Sequence, residues 1–376
     1  MTSIKEKLSH TPLPIFAVVM GTAGLSTAWK RAAEALNAPE VIGVALYFLA
    51  AITFVLLLIA YLARILGNPA NLKADLHHPI KVTFLTAITI SLMLVATAGI
   101  SILPVTITTI LWWIAVVGHL FLMLVTMRMW MRPEITIAHV TPAWFIPVVG
   151  NVIAPLGGMQ LDSTSQQMSF FSFSIGIVMW LGILPIVLYR LFAFDKPMMP
   201  KFIPTMFILI APAAVSASSL AFINGQTSLA SSVLFYSAIG FFLLTLTRLP
   251  ELISLPFNIP HWAMSFPLAA LSSSALIYDK KIGIFFLTLT TIIIVGLWIR
   301  TIIEIFRGGI FAPEGGPAPE PQTAEKAEEK AEPSASAESV AAAEPAASAE
   351  TTTGEDTAQV EQAPLSDEVP QGKPRD

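Results

Sequence analysis

The chain has 376 residues, of which 55% are hydrophobic, 12% are charged and none is cysteine. Soluble globular domains carry about 25% charged residues, so a water-soluble fold is excluded. The missing cysteines also rule out disulfides, thiol nucleophiles and thiolate metal sites. The net charge of −4 conceals two opposed regions. Up to Phe311 there are 17 Lys+Arg against 10 Asp+Glu, and from Ala312 onward 4 against 15.

Apolar stretches of about 20 residues recur along the chain, each able to cross a hydrocarbon core of about 30 Å as a helix. Lipid cannot satisfy backbone hydrogen bonds, so such runs are predicted to be helical. Ten spans are expected. The first half gives Leu13–Trp29, Val41–Leu66, Pro79–Ile102, Val105–Trp130 and Pro142–Leu156. The second gives Met168–Phe192, Phe202–Ile223, Ser228–Leu249, Trp262–Tyr278 and Ile282–Phe306. Lys5 and Lys7 lead into a full span containing Pro14, which argues against a cleaved leader.

With a cytoplasmic N-terminus, 13 Lys/Arg fall in inner segments, and only Lys30, Arg31, Lys280 and Lys281 fall outside. The positive-inside rule then places both termini in the cytoplasm of a multi-pass inner (plasma) membrane protein. Each even-numbered span ends near one arginine: Arg64, Arg128, Arg190, Arg248 and Arg300, at separations of 64, 62, 58 and 52 residues. The repeating unit is a helical hairpin, and there are five.

Odd and even spans differ in composition. Even spans are bulky, as in Phe54-Val55-Leu56-Leu57-Leu58-Ile59. Odd spans carry small and hydroxyl residues, as in Gly21-Thr22-Ala23-Gly24, Ala211-Pro212-Ala213-Ala214-Val215-Ser216 and Ala269-Ala270-Leu271-Ser272-Ser273-Ser274. Small residues allow close helix approach, and hydroxyls avoid lipid. The expected fold is therefore all-α: an inner ring of five odd helices, covered by five lipid-facing even ones. Internal prolines concentrate in odd spans (Pro14, Pro147, Pro155, Pro212 and Pro267), with Pro185 the even-span exception. Residues 1–311 form the membrane domain. Residues 312–376, rich in Ala, Glu, Pro, Ser and Thr, are expected to be a disordered acidic cytoplasmic tail.

From Pro12 to Phe311 the chain resembles the tellurite-resistance TehA and plant slow-type anion channel family, also called the tellurite-resistance/dicarboxylate transporter (TDT) family. The resemblance is carried by His261-Trp262-Ala263-Met264-Ser265-Phe266-Pro267, by Asn151 with Ala154-Pro155, by His78-Pro79 and by Arg307-Gly308-Gly309-Ile310-Phe311. It implies a homotrimer whose protomers each have a pore along a quasi-fivefold axis of the inner helices, for chloride, nitrate or, in some members, dicarboxylates. It further implies that Phe266 plugs the pore.

A large ring ahead of a kinking Pro267 and a small-residue face would project into the space those residues leave. Further pore-lining candidates are Gly21, Gly24, Pro147, Asn151, Pro155, Pro212, Ser216 and Ser273. Apart from Lys81 at the very start of the third, no Asp, Glu, Lys or Arg falls inside an odd span, and the lack of an intramembrane carboxylate favours passive conduction over proton coupling. His119, on the fourth span, is expected to make an interhelical hydrogen bond. His10, His78, His139, Lys201 and His261 precede odd spans and form candidate cations of a cytoplasmic mouth that gathers anions. Conductance is then expected to rise as these histidines protonate between pH 8 and pH 6.

No H-E-x-x-H, phosphate-binding glycine loop or nucleophile–base pair is present, and His77-His78 lacks ligand spacing. Enzyme activity, metal, cofactor and nucleic-acid binding are not expected. Two alternatives stay open. One is a proton-coupled carrier of C4-dicarboxylates or tellurite oxyanions. The other is a scaffold recruiting an unidentified partner through its acidic tail, whose deletion a pore would survive.

Overall fold

A computed structural model describes residues 12–307. Ten principal helices appear, and no strand occurs among the described residues. They are α1 (Ala17–Leu36), α2 (Glu40–Gly67), α3 (Lys81–Gly99), α4 (Val105–Trp130) and α5 (Ile146–Gly158). The chain continues with α6 (Ser163–Phe192), α7 (Ile210–Asn224), α8 (Leu229–Leu246), α9 (Ser265–Tyr278) and α10 (Lys280–Arg307). Short helices at Ala70–His77 and Leu249–Ser254 follow α2 and α8.

Seven segments are long and apolar enough to cross a membrane: α2, α3, α4, α6, α8, α10, and α7 taken with its preceding turn. The remaining three, α1, α5 and α9, are all odd. Lys30, Arg31 and Glu34 lower the hydropathy of α1, whereas α5 and α9 have only 13 and 14 α-helical residues. A helix sheathed by other helices meets protein rather than lipid, so it can be short or polar without exposing backbone.

Burial separates the two classes sharply. In the most apolar windows of α3 and α7, 83% of residues are buried, against 22–33% in α2, α4, α6, α8 and α10. Packing follows chain order: α1 against α3, α3 against α5, α5 against α7, α7 against α9, and α9 back against α1. The five odd helices thus close a ring. Each even helix lies on the odd helix before it and touches the next one round. Outward faces remain apolar and uncovered, as with Val55, Leu56 and Ile59 on α2 and Ile110, Ile114, Val117 and Phe121 on α4.

Proline-led 3₁₀ turns introduce four of the five inner helices: Leu13–Phe16, Pro142–Phe145, Pro200–Leu209 and Ile259–Met264. Proline suits these positions because a first-turn N–H has no intrahelical acceptor. This revises the proline reading. Pro147, Pro212 and Pro267 stand in the first α-helical turn after such a segment, so the expected kink at Pro267 is a 3₁₀-to-α junction. Pro155, Pro185 and Pro204 are the prolines inside helical runs. At the opposite end, α1 and α7 stop on left-handed residues, Asn37 (φ 56°) and Gly225 (φ 66°), which turn the chain without continuing the helix.

Only some odd-helix hydroxyls face the ring interior. Others stitch neighbouring helices together: Ser26 donates to the Gly43 carbonyl of α2 (2.7 Å), and Ser219 to the Val152 carbonyl of α5 (2.5 Å). Ser272 pairs with Thr290 of α10 (2.8 Å). Tryptophans peg the layers as well, with Trp298 donating to Thr22 (3.0 Å) and Trp262 to Thr301 (2.8 Å). The arginines ending the even helices do different work. Arg64 pairs with buried Asp75 of the short helix, Arg190 is buried and donates to the Lys196 carbonyl (2.8 Å), and Arg248 pairs with Glu251.

Candidate functional site: an axial cavity

All five inner helices contribute to one small cavity. From α1 come Gly24 and Thr27, from α3 Leu94 and Thr97, and from α5 Leu156. From α7 come Val215 and Ser218, and from α9 Phe266, Ala269, Ala270 and Ser273. About 20 Å³ is open to the centres of water-sized spheres, room for one or two waters. A space lined by every member of a closed ring lies on the axis of that ring. Its wall is apolar apart from four hydroxyls, and none of its side chains carries a charge. The hydroxyl of Thr97 is buried without a protein partner.

Phe266, in the first turn of α9, is part of the cavity wall and is 5% exposed. Its ring lies against Gly24, where an added methyl would come within 3.2 Å of Phe266 Cδ2 and 3.1 Å of Ala269 Cβ. Glycine at position 24 is what leaves room for the ring. Gly21, one turn earlier, packs so closely on α9 that a methyl there would lie 2.0 Å from Ser265 Oγ.

The expected lining residues therefore divide. Gly24, Ser273 and Phe266 are on the cavity wall. Gly21 is in the α1–α9 contact, while Pro147, Pro155, Pro212 and Ser216 are buried away from the cavity. Asn151 points to the outer layer: its amide donates to Met123 of α4 (3.0 Å) and to the Pro147 carbonyl (3.1 Å). That carbonyl also lies 2.8 Å from His119 Nε2, whose Nδ1 is 3.0 Å from Thr89 Oγ1. His119 thus links α3, α4 and α5 as expected of it, and it is fully buried.

Among the candidate mouth cations, His10 lies outside the described residues. Lys201 has its ammonium 5.3 Å from the Phe202 ring centre. The three histidines act as caps. His78 Nδ1 accepts the amides of Ile80 (3.1 Å) and Lys81 (3.2 Å), and His139 Nδ1 accepts that of Thr136 (3.1 Å). His261 closes a capping box with Asn258, its Nδ1 3.2 Å from the amide nitrogen. Burial pushes the His261 imidazole below its ordinary range of 6.5. The shared pattern is legible in the sequence, Thr136-Ile137-Ala138-His139 and Asn258-Ile259-Pro260-His261, although composition alone marked these residues only as cations.

Three lining hydroxyls, Thr27, Thr97 and Ser218, were not among the expected site residues. The helical repeat signals one of them, since Thr27 follows the expected Gly24 by three.

A ring of apolar helices around an uncharged, hydroxyl-lined cavity defines a membrane protein of the channel or transporter class, and comparison with known proteins makes this more specific. The chain belongs to the SLAC1 family, described as voltage-dependent anion channel, whose profile matches residues 10–307. It is 26% identical over 310 residues to the tellurite resistance protein TehA homologue of Haemophilus influenzae, covering 80% of this chain and 93% of that one. An uncharacterised transporter of Methanocaldococcus jannaschii is 25% identical, over 79% of this chain and 95% of its own. The S-type anion channel SLAH3 of Arabidopsis thaliana is 23% identical, over 80% of this chain and 49% of its own.

Proposed function

We propose that the chain is an anion channel in which all ten helices cross the membrane and small inorganic anions such as chloride and nitrate pass along the ring axis. The observation that carries this reading is the cavity itself, shared by all five inner helices and stopped on one side by Phe266. A neutral hydroxyl wall partly replaces an anion's hydration without holding it tightly, which suits fast passage and modest selectivity. Phe266 is the gate, since it is the largest side chain lining the axial cavity and its ring packs against Gly24. Passive flow is favoured over proton coupling, since no lining side chain titrates and His119 faces α3 and α5. The lysine and arginine distribution supports cytoplasmic termini in an inner (plasma) membrane. The family resemblance supports a homotrimer with one pore per protomer.

The test is anion efflux from liposomes holding the purified protein, driven by an imposed potential without a proton gradient. Phe266→Ala is expected to raise chloride and nitrate flux at least about tenfold over wild type, equivalent to about 1.4 kcal/mol off the barrier. Flux appearing in either protein only with a proton gradient would replace the channel by a coupled carrier.

A further inference from the structure

The sequence places Arg31 in a loop beyond Trp29, but α1 continues to Leu36 and carries it as a helical residue. Gly24, Thr27 and Arg31 are spaced by three and four, so they share one face of α1, and the first two line the axial cavity. On α7, Ser218 lines the cavity and Phe222 follows it by four. The Arg31 guanidinium lies over the Phe222 ring, 4.7 Å from its centre. Because α1 and α7 are not neighbours in the ring, this contact reaches across the interior, one turn beyond the hydroxyls of Thr27 and Ser218.

The guanidinium has no counter-ion there. Its Nε is buried without a hydrogen-bond partner, and none of the ion pairs among the described residues includes it. Glu34, one turn further along α1, is exposed and acts on it only at a distance. Lys30 is committed elsewhere, donating to the Ala98 carbonyl and to Ser101 Oγ (2.9 Å) at the end of α3. A shielded cation whose nearest carboxylate acts only at a distance is costly, and stacking on one aromatic face offsets only part of that cost. Stacking also leaves the guanidinium's N–H edge free, the edge that recognises anions. The inner helices run parallel, so their negative dipole ends gather at this end of the cavity and would repel an anion approaching without such a group.

We propose that Arg31, held across the ring on Phe222, binds a partly dehydrated monovalent inorganic anion at the C-terminal end of the axial cavity and sets the preference for anions over cations. This rests on the channel reading, with Arg31 supplying the fixed charge that the cavity wall lacks.

Full-length protein carrying Phe266→Ala is compared with and without Arg31→Gln in planar bilayers, using potassium chloride and potassium nitrate as probes. Arg31→Gln is expected to lower the anion-to-cation permeability ratio about fivefold, the effect of about 1 kcal/mol from one nearby charge. Conductance should fall most at about 20 mM salt and approach the parent value near 1 M, where the charge is screened. Arg31→Lys should keep the selectivity. The natural absence of cysteine allows a second, independent measurement on Arg31→Cys. A cationic methanethiosulfonate should restore anion preference, and an anionic one should reduce it further. Unchanged permeability ratio and salt dependence in Arg31→Gln, or equal effects of the two reagents, would overturn the proposal. A Phe266→Ala parent that passes no anion current would instead remove the channel reading beneath it.

Discussion

His119 and Gly150 show how a single glycine positions a polar group inside this fold. A methyl at Gly150 would lie 2.2 Å from His119 Cε1 and 2.3 Å from Nε2, so the imidazole occupies space that only glycine leaves. Gly150→Ala must displace the ring and break its bonds to Pro147 and Thr89. Overpacking costs about 1–3 kcal/mol, and stranding a buried polar group adds about 1–3 kcal/mol. The expected outcome is a clear fall in the thermal midpoint of the detergent-solubilised protein, largely relieved by adding His119→Ala. Two independent, additive losses would show that the residues are not coupled. His261 yields a pH prediction. Its folded pKa lies below the ordinary 6.5, so the unfolded chain takes up the proton first as pH falls. Its contribution to stability is whole above about pH 6.5 and is lost as pH falls below that value. His261→Gln should therefore flatten the acid limb of a midpoint-against-pH curve, and an unchanged limb would contradict the role. At this scale the sequence was only partly legible. Phe266 was singled out by the family resemblance together with its place before Pro267, whereas the outward turn of Asn151 depends on Met123, a partner 28 positions away that no local pattern announces.

The inner helices were recognisable from their small residues and prolines, but their lengths were not. Hydropathy ended the first span at Trp29 because Lys30 and Arg31 look like loop residues, yet backbone hydrogen bonding carries α1 to Leu36. Charge lowers hydropathy without weakening a helix, and Ala32, Ala33, Glu34, Ala35 and Leu36 are all good helix formers. The short α-helical parts of α5 and α9 have a related cause: their first turns are 3₁₀, each opened by proline. Contact between α1 and α9 is set by Gly21 against Ser265, the residue beside the proposed gate. Gly21→Ala is expected to lower the thermal midpoint and to raise basal anion leak by wedging α9 away from α1. Ser265→Gly in the same chain should recover part of both. Full stability in Gly21→Ala would mean that the helices do not meet as closely as described.

For the molecule as a whole, the alternation of bulky and small spans was enough to assign inner and outer layers, and burial separates the helices the same way. The reason is physical: lipid accepts large apolar side chains on every outward face, while a ring of five helices closes only if small residues allow near approach. Ring order could not be read from composition, although it follows the chain, each hairpin adding one inner helix until α9 meets α1. The cavity at the centre was legible as a need, somewhere for Phe266 to point, but its hydroxyl wall and the guanidinium beyond it required coordinates. The proposed function joins these observations as an anion path along the axis, closed by the Phe266 ring. The most direct test is the reversal potential of the Phe266→Ala protein in a planar bilayer across a gradient of potassium chloride, with pH equal on both sides. An axial anion pore predicts a steady current reversing close to the chloride equilibrium potential. A current reversing near that of potassium, or no current without a pH difference, would contradict it.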